Sequence, residues 1–150
     1  MSCDAHHMTA PQPEGKGALQ AMTAALRDAK LDASAIGYIN AHGTGTPHND
    51  SAESHAVRSL LGDRAGQVPM SSIKSMVGHT LGAAGAIEAV ASVLSLQHGI
   101  LPPTKNLRDP ETDFGLDYIP EVARQKQVDV ILSSSFAFGG NNAALLFGRG

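Results

Sequence analysis

An α/β fold is what the sequence predicts, on three observations. Stretches with helical periodicity alternate with short apolar runs of strand length. Glycine is abundant, at 16 residues, which suits closely packed backbones. The apolar content is built from Ala, Val, Leu and Ile, with no Trp and only four Phe. At 150 residues the chain has room for one domain with a real core, so residues 1–150 are taken as one unit.

The elements follow in order. Residues 1–10 are polar and read as irregular, and Pro11, Pro13, Gly15 and Gly17 make a loop. Leu19, Met22, Ala25, Leu26 and Ala29 recur at helical spacing, which predicts an amphipathic helix over residues 17–30. The run 36–41 predicts a buried strand and is followed by a glycine-rich stretch to Asp50. Ser51 is a suitable cap for a helix over 52–61 that Gly62 ends. Residues 68–72 predict a second strand and 71–78 a polar turn. The third helix, 82–98, is so rich in Gly and Ala that it predicts close burial against several neighbours. After Pro102 and Pro103 a turn-rich segment runs to Pro120. Residues 128–135 and 142–147, joined by a glycine turn, predict a hairpin.

Several function classes are poorly served. The net charge is -3 and no Lys/Arg cluster stands out, so neither nucleic acid nor an anionic membrane surface is an expected partner. The weakly polar run 81–96 is too short to span a bilayer and contains Glu88. With a polar N-terminus that resembles no leader and a lone Cys3, the expected setting is the cytoplasm. Among seven histidines, His42 with His48 and His48 with His55 miss helical ligand spacing, so no metal is expected. Gly43-Thr44-Gly45-Thr46 lacks the Lys-Ser/Thr of a phosphate loop, and Gly78, Gly82 and Gly85 miss the dinucleotide spacing.

Two segments carry chemistry. Asn40-Ala41-His42-Gly43-Thr44-Gly45-Thr46-Pro47 sets a histidine at a strand end, then alternates glycines with hydroxyls. Such a loop mouth suits a ligand, although a structural turn would look the same. In Lys74-Ser75-Met76-Val77-Gly78-His79, the histidine precedes a helix whose dipole would disfavour the imidazolium. A neutral imidazole could stabilise charge on a carbonyl oxygen. Lys74 and Glu88 are the obvious ion pair, and a helix cap beside a buried salt bridge is the plain alternative.

Together the two segments resemble the histidine motifs of the β-ketoacyl synthases, condensing enzymes of the thiolase-like superfamily. Phe136-Ala137-Phe138-Gly139-Gly140-Asn141 resembles their C-terminal glycine loop, and Pro102-Pro103-Thr104-Lys105-Asn106-Leu107 also fits. The resemblance covers essentially the whole chain and implies the C-terminal half of a layered fold, a mixed sheet packed with helices. It implies decarboxylative Claisen condensation of an acyl thioester with a malonyl group on acyl carrier protein, in fatty-acid or polyketide-type synthesis. His42 and His79 would hold the malonyl thioester, and Lys74 would orient the site with Glu88. Phe138 would give an oxyanion-hole amide and gate the acyl pocket, with Gly139 beside it. Thr44 and Thr46 would bond the phosphopantetheine arm, and no other cofactor is implied. The family's nucleophilic cysteine lies in its N-terminal half, and Cys3 has no comparable context. The chain is therefore expected to be inactive alone, as a fragment or as the partner of a Cys-bearing N-terminal half or full synthase subunit. An oligomer is expected, and a non-catalytic partner resembling a chain-length factor is the rival reading.

Overall fold

The computed structural model describes residues 1–108 and 114–149. Its centre is a five-stranded mixed sheet in the order β1-β7-β6-β2-β3. The strands are β1 (Ser2–Cys3), β2 (Tyr38–Asn40), β3 (Met70–Ser71), β6 (Val130–Ala137) and β7 (Asn141–Gly148). β3, β2 and β6 run parallel, β6 and β7 form an antiparallel hairpin, and β1 pairs antiparallel with the start of β7. Thus Ser2 and Cys3, expected to be irregular, are an edge strand opposite Asn142 and Asn141. Within the turn-rich segment, β4 (Ile100–Leu101) and β5 (Arg124–Gln125) form a separate two-stranded ribbon that periodicity could not show at that length. The same segment's residues 109–113 lie outside the described ones.

Strand alternation divides the core in two. Ile39, Ala41 and Leu132 face α1 (Lys16–Ala29) and α2 (Pro47–Leu61), meeting Ala21, Met22, Leu26, Ala56 and Val57. On the other face Tyr38 and Ile131 pack with Leu96 of α4 (Ala84–His98), and with Leu101, Ile119 and Val128. α1 stops where Lys30 turns left-handed (φ 56) and the Leu31 N–H returns to the Leu26 carbonyl, a Schellman closure. α2 begins at Pro47 rather than after Ser51, because proline is already set for the first helical position. The expected turn 71–78 contains a single helical turn, α3 (Lys74–Val77), and 82–98 divides into a 3-10 turn at Leu81–Ala83 followed by α4.

α4 departs furthest from the expectation of burial on most sides. Ala84, Glu88, Ser92, Ser95 and Leu96 face the sheet. Ile87, Val90, Val93 and Leu94 stand exposed, Val90 at 61%. No described helix is long and apolar enough to cross a membrane.

Leu132 is fully buried and Leu145, on the neighbouring strand, is 55% exposed. Leu132→Ala is expected to destabilise the fold by about 2–4 kcal/mol, and Leu145→Ala by less than about 1 kcal/mol, in denaturant titrations.

Candidate active site

The parallel strands β3, β2 and β6 end on one edge of the sheet, and each hands its chain to a functional segment there. Ligands of α/β proteins gather outside such carboxyl ends. β2 leads into His42 and Gly43, β3 into Ser72 and α3, and β6 into Phe138 and the glycine turn.

His42 is buried at 6% exposure, whereas His79 is exposed. Their rings meet edge to face with centroids 5.5 Å apart, and the Phe136 ring lies 5.5 Å from His42 on another side. Burial, then the Lys74 charge, then His79 push the His42 pKa down to about 3, so the imidazole is neutral at physiological pH. Its Nδ1 has no hydrogen-bond partner among the described residues. His79 stands just before the 3-10 turn Leu81–Ala83 that runs into α4, and the Leu81 N–H donates to its Nδ1 at 3.1 Å. A neutral His79 therefore carries its proton on Nε2, a tautomer assigned from this hydrogen bond.

Lys74 and Glu88 form an ion pair with both side chains almost wholly buried. The second Glu88 oxygen accepts from the Ser135 hydroxyl at 3.3 Å. Beside them Asn40 donates through Nδ2 to the Glu88 carbonyl (3.0 Å) and to Ser92 Oγ (3.1 Å). α4 thus meets the sheet through a buried polar seam as well as through apolar packing.

One residue escaped sequence reasoning. Glu53 of α2 is 2% exposed and accepts from the His42 N–H (2.9 Å), the Gly43 N–H (2.8 Å) and the Ser134 hydroxyl (2.6 Å). Burial raises its pKa, and those three donors oppose the rise. Its carboxyl holds the backbone that bears His42. The available signal was its place four residues before Val57, on the stripe where α2 buries Ala52 and Ala56.

Thr44 and Thr46 hydroxyls lie 2.9 Å apart, with Thr44 half-buried and Thr46 exposed. Thr44, Lys74 and His79 line one cavity of about 430 Å³. Phe138 stands off the sheet edge, 74% exposed. Gly139 has a left-handed φ of 78°, and its N–H is taken by the Met8 carbonyl at 2.7 Å. Cys3 is exposed, with its Sγ 3.6 Å from the Gly139 carbonyl.

The low His42 pKa has a measurable sign. Unfolded chain takes up this proton near pH 6.5, whereas folded chain resists until about 3. The stability His42 contributes is complete above about pH 6.5 and is lost as pH falls towards 3. Chemical denaturation across this window is expected to show a shallower acid decline for His42→Gln than for the wild type. Separately, Glu88→Ala would strand Lys74 in the interior and is expected to cost about 3–5 kcal/mol by the same measurement.

The family model for the β-ketoacyl synthase C-terminal domain matches residues 1–108. The 3-oxoacyl-[acyl-carrier-protein] synthase 2 of Synechocystis is 50% identical over 147 residues, covering 98% of this chain and 35% of that protein. Among solved structures, the ishigamide ketosynthase/chain length factor superposes with a TM-score of 0.93 at 42% identity, covering 99% of this chain and 36% of that one. A type II polyketide acyl-carrier protein in complex with its ketosynthase gives a TM-score of 0.95 at 36% identity, with the same coverage, 99% and 36%. The chain therefore spans about a third of the length of the relatives it matches. With its parallel-strand edge, its two apposed imidazoles and this match, the chain belongs to the β-ketoacyl synthase family, a thiolase-like fold of which it carries the C-terminal domain.

Proposed function

We propose that this chain supplies the two-histidine part of a 3-oxoacyl-[acyl-carrier-protein] synthase site. There a malonyl thioester loses CO₂, and the electron pair of the broken C–C bond becomes an enolate. That carbon then attacks an acyl group held as a thioester on a cysteine, forming the new C–C bond and releasing the thiolate. The observation that carries the reading is the apposition of His42 and His79, one ring kept neutral by burial and the other aimed by the Leu81 amide. Two imidazole N–H groups directed at the thioester carbonyl oxygen would stabilise the charge that decarboxylation places there, and donors fixed in advance serve such charge well. His42 and His79 are the catalytic residues in this reading. Lys74, anchored by Glu88, keeps a positive charge beside them without entering the reaction. No metal or redox group takes part, because loss of CO₂ itself generates the carbanion.

Thr44 and Thr46 would bond the phosphopantetheine arm of an acyl carrier protein, their hydroxyls lying together after the His42 turn, with Thr44 lining the cavity. The Phe138 amide would serve the oxyanion hole, and its ring would gate the acyl chain beside Gly139. The neighbouring structures include a ketosynthase with its acyl-carrier protein and a ketosynthase paired with a chain length factor. A Cys-bearing N-terminal half would complete the site and cover the exposed Ile87, Val90, Val93 and Leu94 of α4. In this reading Cys3 does not fill the nucleophile's role, being exposed on an edge strand with its Sγ beside the Gly139 carbonyl.

The test is condensation of acyl- and malonyl-carrier protein by the chain alone and by its mixture with a Cys-bearing N-terminal half. The expected outcome is activity in the mixture only, reduced at least about 100-fold by His79→Ala. Activity in the chain alone would overturn the assignment of the nucleophile. Inactivity of a mixture whose halves demonstrably associate would turn the reading to a non-catalytic partner.

A further inference from the structure

We infer that Ser72 is a positioning residue that couples the two histidine-bearing segments, and only its kinetic consequence rests on the functional reading above. Ser72 is the first residue beyond β3 and is 5% exposed. Its hydroxyl donates to the Gly43 carbonyl at 2.8 Å, in the turn that carries His42. The same oxygen accepts the Lys74 N–H at 3.3 Å, in the turn that leads to His79. One Oγ atom thus ties both segments where the paired strands β2 and β3 have already ended.

The placement of that hydroxyl is itself fixed. The Ser72 N–H donates to Thr104 Oγ1 at 3.2 Å, and Thr104 Oγ1 donates in turn to the Tyr118 carbonyl at 3.0 Å. The Ser72 carbonyl accepts from Ser75 Oγ at 2.8 Å. With the backbone held at both ends, the side chain has little freedom to turn away. Gly43 is shaped to match, because its φ is +39° and a Cβ there would lie 2.4 Å from Ser72 Cβ. The His42 turn is therefore gripped from two sides, by Glu53 at its N–H groups and by Ser72 at the Gly43 carbonyl.

Removing the hydroxyl leaves the Gly43 carbonyl and the Lys74 N–H without their shared partner, while each histidine keeps its own chemistry. The defect expected is in the relative placement of the rings, to which bond making is far more sensitive than binding. In the mixture with a Cys-bearing half, Ser72→Ala is expected to lower kcat for malonyl-thioester decarboxylation about 10-fold with KM within about 2-fold. A wild-type kcat, or a loss confined to KM, would overturn the proposal.

Should the wild-type mixture be inactive, the functional reading fails and the structural coupling is decided separately. Hydrogen exchange followed by mass spectrometry on the full chain then compares wild type, Ser72→Ala and Ser75→Ala. Ser72→Ala is expected to speed exchange at least about 10-fold in peptides covering residues 41–46 as well as 72–77. Ser75→Ala, whose hydroxyl among the described residues bonds the Ser72 carbonyl and the Lys105 N–H, is expected to leave 41–46 unmoved. Faster exchange limited to 72–77 in Ser72→Ala would overturn the coupling.

Discussion

Two carboxylates are buried at the carboxyl edge of the parallel strands, one in each layer, and the arrangement of the site follows from which donors meet their oxygens. A charge or polar group taken out of water must find partners close at hand. Glu88, reaching from α4, is met by Lys74, and the short helical turn at Lys74–Val77 keeps that lysine inside. Glu53, reaching from α2, has no ion-pair partner among the described residues and is met by backbone amides, so the His42–Gly43 turn folds down upon it. The same two demands that satisfy the carboxyls thus fix the chains that bear His42 and His79. β6 serves both layers, since Ser134 donates to Glu53 and Ser135 to Glu88 from opposite faces of one strand.

Electrostatics reinforce this arrangement. Burial, and then a lysine charge beside it, keep the His42 imidazole neutral, and a neutral ring donates through its one N–H while adding no second positive charge beside Lys74. At His79 the local control is a backbone amide, the Leu81 N–H donating to Nδ1. The two imidazoles thus differ in exposure and in what fixes each ring. The sheet edge supplies rigidity, and the glycine turns supply the close approach that larger residues would block.

Much of this was legible in the sequence. The helix α1 could be read from the helical spacing of its apolar residues, and the hairpin of β6 and β7 from two apolar runs joined by a glycine turn. The segments around His42 and His79 could be singled out because glycines and hydroxyls crowd about a strand-end histidine. What could not be read depended on distant partners. β1 and the β4–β5 ribbon are two-residue strands, too short for any period, and exist because a remote strand offers them hydrogen bonds. Glu53 could not be singled out, because a helix of mixed character does not say which carboxylate will find amides waiting eleven and ten residues back in the chain. The start of α2 was misjudged because Ser51 is a good cap on its own merits, while Pro47 is the better first residue.

The aliphatic face of α4 also governs how the chain fares in a crowded solution. Ile87, Val90, Val93 and Leu94 contribute less to the fold that carries them than fully buried residues do, since water already touches part of each. Drift at these positions would be felt less by folding than by whatever surface covers them. Left uncovered, this face presents a sticky helix to chaperones and proteases. Side chains that add little to folding would in this way bear on how much of the protein persists.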